Sequence, residues 1–235
     1  TLPTVFVAGS SYSHHFSPVF EELRNEFGIG ISMIAAKACD LDPLLQDENI
    51  YRTCKVNNQN RISFIKNNAK EGDIIFTGIS NPETFKSNSV KEIVEIASNN
   101  KINIVYFTAI PVWKRLKPEI DSMCRNYFEG EWFRPMKNKN CSKYSEITRE
   151  AYETAKISEV LESLKIIEQS YPGFHVFPVH EFLCDSSKCP SHINGIRLYR
   201  DNTGHLSING ATQFLSPKIR SFLIQRNLIQ KKSKN

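Results

Sequence analysis

Short apolar runs alternate with helix-length stretches along most of this chain, and that alternation leaves few architectures open. The runs Thr4–Ala8, Ile31–Ala35, Asp73–Thr77, Ile102–Thr108 and Phe174–Pro178 are brief and rich in Val, Ile or Phe, as strands covered on both faces are. Helical patterns are predicted over Pro18–Glu26, Val90–Ser98, Glu146–Gln169 and Gly210–Arg226. In the third, Ile157, Val160, Leu161, Leu164 and Ile167 recur at three- and four-residue steps and form one apolar stripe. Ser216-Pro217 breaks the fourth in two, since proline suits a first helical turn. Strands separated by helices predict an α/β fold, with a mostly parallel five-stranded sheet in a three-layer α/β/α arrangement.

A chain of 235 residues can bury one large core. Residues 1–235 are read as a single domain with an irregular insertion around Leu116–Lys143. So long an excursion in a compact domain is either a binding loop or a surface insertion. The net charge of +5 is spread along the sequence, whereas a nucleic-acid footprint needs a concentrated basic patch; nucleic acid is not an expected partner. No run reaches the ~18–20 apolar residues of a membrane span, and no signal peptide precedes the first strand. Opening on Thr1 rather than methionine, the sequence reads as a processed product or an excised domain.

Six cysteines occur without a CxxC pair and without zinc-ligand spacing to histidine. Three disulfides suit a lumenal or extracellular setting. Of the fifteen pairings six cysteines allow, the simplest joins sequence neighbours: Cys39 with Cys54, Cys124 with Cys141, Cys184 with Cys189. Reduced thiols in a cytosolic protein are the alternative. Adjacent His14 and His15 lack partner ligands and read as the rim of a site or as surface. No metal and no cofactor are expected.

The chemistry-bearing residues lie at opposite ends. Val5-Phe6-Val7-Ala8-Gly9-Ser10-Ser11-Tyr12 is an apolar run closing on a glycine and two serines, as a buried strand closes before a catalytic turn. Asp201-Asn202-Thr203-Gly204-His205 sets a carboxylate a few residues before a histidine. Serine is a weak nucleophile until a base takes its proton, and the base is oriented by a third group. Ser11 is therefore the candidate nucleophile, His205 its base and Asp201 the orienting acid. An oxyanion needs preorganised donors: the Ser11 N–H, the Asn81 side-chain amide beyond the third strand, and a backbone N–H of the loop at Ala36 are the candidates.

Four blocks in this order resemble the SGNH hydrolase superfamily. They are Gly9-Ser10-Ser11-Tyr12, Cys39-Asp40-Leu41-Asp42-Pro43-Leu44, Ala109-Ile110-Pro111, and the tail from Cys184 and Cys189 through Leu198-Tyr199-Arg200-Asp201 to His205-Leu206-Ser207-Ile208-Asn209-Gly210-Ala211. More narrowly they resemble the extracytoplasmic SGNH domain at the C-terminus of acyltransferase-3 membrane proteins, nematode O-acyltransferase-like members included. The resemblance implies a flavodoxin-like sheet, a Ser-His-Asp site and acyl transfer to or from hydroxyl groups. It further implies a membrane acyltransferase domain that delivers the acyl donor, a hydroxylated glycan or lipid-linked acceptor, and a location on the extracellular, lumenal or periplasmic side. Three departures stand out: Ser10 where the family has Asp or Asn, no clear glycine in Met33–Ala38, and an acid four rather than three residues before the histidine. They motivate the alternative of a catalytically degenerate domain that binds an acceptor or docks on a membrane partner.

Overall fold

The computed structural model describes residues 2–37, 39–44, 52–79, 82–111, 146–153, 155–200 and 204–230. Five strands form one sheet: β1 (Thr4–Gly9), β2 (Gly30–Ala35), β3 (Ile74–Gly78), β4 (Asn103–Phe107) and β6 (Phe174–Phe177), in the order β2-β1-β3-β4-β6. Every pairing is parallel. In β1 and β3 consecutive residues are buried regardless of parity, which is why these strands read as continuous apolar runs rather than alternating ones. Edge strand β2 is half-buried and leaves Met33 exposed.

Helix α1 (Ser11–His14) is a single turn after β1, and α2 (Ser17–Phe27) carries the chain to β2. Helices α3 (Arg52–Asn68) and α4 (Ser87–Asn99) flank β3. The chain runs outward to β2 on one side of β1, and through β3, β4 and β6 on the other. Right-handed crossovers then place α2 and α4 on opposite faces. Contacts agree: α2 touches α8 (Ser216–Gln225), and α4 touches α6 (Ala155–Ser170). The reversal of strand order falls between β1 and β3, and ligand crevices of open α/β sheets lie at the carboxyl ends of such strands.

The five expected strands and the helices beginning near Pro18 and Val90 form within a few residues of their predicted bounds. Asp73 and Ile102 stay outside the sheet; the Asp73 carboxylate instead accepts the N–H groups of Thr4 and Lys70 at 2.7 and 2.8 Å. The helix expected over Glu146–Gln169 is interrupted. Glu146–Thr148 is strand β5, paired antiparallel with β7 (Lys188–Pro190), followed by α5 (Arg149–Tyr152) and then α6. Extended Thr148 caps α5 by accepting from the Ala151 N–H at 3.1 Å, which fixes the break there. Helix α3 escapes the sequence pattern altogether. The tail helix does divide at Ser216-Pro217, a π-type turn over Gly210–Leu215 preceding α8.

Two expected disulfides are formed, Cys39–Cys54 and Cys184–Cys189. The Leu116–Lys143 insertion and the Cys124–Cys141 pairing lie outside the described residues. Among the described residues no helix is long and apolar enough to cross a membrane.

Candidate active site

Ser11 follows the carboxyl end of β1 through a turn that only glycine fits. Gly9 has φ +134°, and a Cβ there would lie 2.3 Å from Ser13 Oγ. Ser13 Oγ donates back to the Ala8 carbonyl at 2.8 Å, and buried Ser10 caps the single turn of α1 by accepting from the Tyr12 N–H. Serine thus supplies the capping oxygen at the position where the resemblance leads one to look for Asp or Asn. The helix onset at Ser11 and the second onset at Ser17-Pro18 both occur, as two consecutive helices.

His205 arrives from the other end of the chain. The segment around it is closed by a ladder: the Arg200 N–H donates to the His205 carbonyl at 2.9 Å, and the Ser207 N–H to the Leu198 carbonyl at 2.8 Å. Gly210 packs against that ladder so tightly that a Cβ would lie 2.3 Å from the Leu198 carbonyl oxygen. The result is that Ser11 Oγ and His205 Nε2 are 2.8 Å apart, across 194 residues of sequence. The Tyr12 ring stacks on the imidazole with centroids 4.8 Å apart. His15 Nδ1 accepts the Leu206 N–H at 3.2 Å and so grips the residue next to the base. A hydroxyl hydrogen-bonded to a half-buried imidazole is the arrangement needed to move a serine proton on demand.

A family model described as SGNH domain (fused to AT3 domains) matches residues 1–218. The chain belongs to this SGNH domain family. Membership supports acyl-transfer or esterase-type chemistry in general. No curated protein matches the chain by sequence. Among solved structures, the SGNH domain is similar to the periplasmic domain of the lipopolysaccharide acetyltransferase of Salmonella ser. Paratyphi A. The two share 19% identity at a TM-score of 0.61, with 95% of this chain and 84% of that one covered; at that identity the likeness is one of fold.

Other candidate residues fall differently. Asp201 and Asn81 lie outside the described residues. Ala36 lines the pocket beside Ser11, but its N–H donates to the Gly9 carbonyl at 2.7 Å. That hydrogen ties β2 to the serine turn. His14 and His15 both line the same pocket.

Sequence reasoning missed Arg61. It lies on α3 with 6% of its surface exposed, and Nη1 donates to the Gly9 carbonyl at 2.6 Å and to the Cys39 carbonyl at 3.1 Å. Nη2 reaches the Cys39 and Asp40 carbonyls and Asn58 Oδ1. Burial lowers its pKa to about 10, against the attraction of Asp40, so the guanidinium remains charged at neutral pH. Cys54, two turns earlier on α3, is bonded to Cys39. One helix therefore holds the serine turn and the loop after β2 by a covalent bond and a fan of hydrogen bonds. The only signal was indirect: Cys54, Asn58, Arg61 and Ile65 share one face by helical spacing, with polar residues in its middle.

A second imidazole sits at the end of β4. His180, on α7 (Val179–Leu183) and 2% exposed, meets Thr108 Oγ1 through Nδ1 at 2.8 Å and Glu181 Oε1 through Nε2 at 3.1 Å. Burial lowers its pKa, outweighing Glu181. Arg149 binds Glu181 at 2.8 Å and also Glu153.

Proposed function

We propose that this domain performs serine-dependent O-acyl transfer, or O-acyl ester hydrolysis, on a hydroxylated substrate of glycan or lipid-linked type. In this reading it is the extracytoplasmic part of a membrane O-acyltransferase, whose AT3 domain supplies the acyl donor. The observation that carries the proposal is the 2.8 Å contact between Ser11 Oγ and His205 Nε2 at the topological switch of the sheet.

Ser11 Oγ attacks the acyl carbonyl carbon while its proton passes to His205 Nε2. The carbonyl oxygen takes the negative charge and is met by the Ser11 N–H at the start of α1, with Asn81 as the proposed side-chain donor. The imidazolium returns the proton to the departing alkoxide as the tetrahedral carbon collapses to an acyl-serine. An acceptor hydroxyl, or water, then gives its proton to His205 and attacks the acyl-serine in the reverse sense. Asp201 is the proposed partner of His205 Nδ1, holding the tautomer that leaves Nε2 free to accept.

The test is covalent labelling of the domain with a fluorophosphonate probe. Wild type is expected to label, and Ser11→Ala not at all. His205→Ala should slow labelling by ~10²–10⁴-fold, and Asp201→Asn by at least ~10²-fold if it orients the ring. Equal labelling of wild type and Ser11→Ala would sink the assignment. The commitment of the Ala36 N–H to Gly9 favours a second reading, a degenerate domain that binds an acceptor without turning it over. Under that reading wild type does not label, and His205→Ala binds the acceptor as wild type does.

A further inference from the structure

A run of aromatic rings leads from the middle of the sheet to His205. Fully buried Phe16 meets Phe76 of β3 and Phe107 of β4, with ring centroids 5.2 Å away in each case. His15 stands edge-on to Phe16 at 4.6 Å, and Tyr12 edge-on to His15 at 5.7 Å. Tyr12, His15 and Phe16 come together because side chains three and four residues apart share one side of a helical turn. The His15 N–H donates to the Ser11 carbonyl and the Phe16 N–H to the Ser13 carbonyl, both at 3.2 Å, which keeps that turn in place. The last contact differs in kind. Tyr12 lies nearly parallel to the His205 imidazole, at 4.8 Å and an interplanar angle of 25°, and so turns the negative face of its quadrupole toward the base.

We propose that Tyr12 is a positioning residue for His205: it holds the plane of the imidazole and stabilises its protonated form through the π-face. The proposal rests on the serine chemistry given above and assigns that site a supporting group beyond the orienting acid. An imidazole free to turn about its side-chain bonds would swing Nε2 away from Ser11 Oγ. With one face against Tyr12, the ring keeps the plane in which the 2.8 Å contact is made. His205 becomes a cation as Ser11 attacks, and a cation within about 6 Å of an aromatic centroid is attracted to its face, more strongly where water is displaced. Both rings are half-buried. The stack is therefore stronger with the imidazolium than with the neutral base, and an interaction that strengthens toward the transition state is one that raises the rate.

The experiment follows fluorophosphonate labelling of the whole domain and separates the maximal labelling rate from the probe concentration that half-saturates it. The variants are Tyr12→Phe, Tyr12→Leu, and a trifluorinated phenylalanine installed at position 12, which keeps the shape of the ring but drains negative charge from its face. Tyr12→Phe should label within about twofold of wild type, and the fluorinated variant about threefold more slowly than Tyr12→Phe. Tyr12→Leu, with no ring, should be slower than wild type by about tenfold or more. Each loss should fall on the maximal rate and leave half-saturation unchanged, as an interaction made only in the transition state does. A packing role alone would leave the two ring-bearing variants equal, and their comparison stands even if Tyr12→Leu does not fold. NMR supplies a second arm. The stacked ring should displace the His205 ring-proton signals upfield in wild type and Tyr12→Phe, and the displacement should vanish in Tyr12→Leu. Equal labelling of the two ring-bearing variants, undiminished labelling of Tyr12→Leu, or His205 signals indifferent to loss of the ring would overturn the proposal. If wild type itself fails to label, the serine reading falls, and the NMR arm still decides whether Tyr12 holds the imidazole.

Discussion

Arg61 brings a full charge beneath the serine turn and spends it on carbonyl oxygens of Gly9, Cys39 and Asp40. Each of those carbonyls would lose a donor in Arg61→Met; the Gly9 carbonyl keeps the Ala36 N–H, while for the other two a buried polar group left unpaired costs about 1–3 kcal/mol. Urea unfolding should therefore show Arg61→Met destabilised by roughly 3 kcal/mol or more. Labelling of Ser11, measured well below the melting temperature, should slow as well. Arg61→Lys keeps the charge but has no planar fork, so it should recover only part of either loss; full recovery would mean that charge alone matters. Ser11 and His205 were legible because their local signatures survive in one dimension: a strand ending in Gly-Ser-Ser, and an acid shortly before a histidine. Arg61, Tyr12 and His15 were not legible in these roles. Each acts on a residue brought near by the fold, and no spacing in the sequence records a contact such as Leu206 N–H with His15.

At the scale of elements, α3 explains both what could be read and what could not. Its sequence, Arg52–Asn68, is polar, and the face it turns inward carries Asn58 and Arg61 alongside Cys54 and Ile65. An apolar-periodicity reading has nothing to hold there. The same blindness made Glu146–Gln169 look like one helix, because the stripe of α6 continues upstream as far as Ile147, which is in fact buried opposite Cys189 in a strand pair. The disulfides lend themselves to a comparison. Cys39 and Cys54 are 15 residues apart and Cys184 and Cys189 only 5, so on a chain-entropy account they stabilise by about 3 and about 2 kcal/mol. Replacing each pair with serines and measuring chemical unfolding should rank them in that order. Loss of the first should also slow Ser11 labelling, since it loosens the α3 clamp. Loss of the second should leave labelling comparatively unaffected, and the opposite pattern would count against the clamp.

For the molecule as a whole, the parallel sheet was legible because doubly buried strands are short, apolar and separated by helix-length segments, whereas the lateral order β2-β1-β3-β4-β6 is written in tertiary packing. Whole-molecule stability should depend on pH in a definite sense. Burial lowers the pKa values of His180, His175 and His192 in the folded protein. Below about pH 6.5 the unfolded chain takes up protons that the folded form refuses. More protons on the unfolded side means stability falls as pH falls, from near 7 until the folded-state values are reached. The carboxylates of Glu181 and Asp185, lowered chiefly by Arg149 and by the Ser187 N–H respectively, add their loss only at lower pH, below the ordinary carboxylate range. Melting temperature should therefore drop between pH 7.5 and 5, with a shallower slope in His180→Gln; a flat profile in wild type would contradict it. The distance along the chain between Ser11 and His205 has a consequence for folding itself. No early fragment and no half-docked chain holds both atoms, and contacts so far apart close late. Acquisition of serine reactivity is thus a stopwatch for completion of the fold. During refolding it should lag behind the recovery of helical signal, stopping only when the last segment has settled against the first.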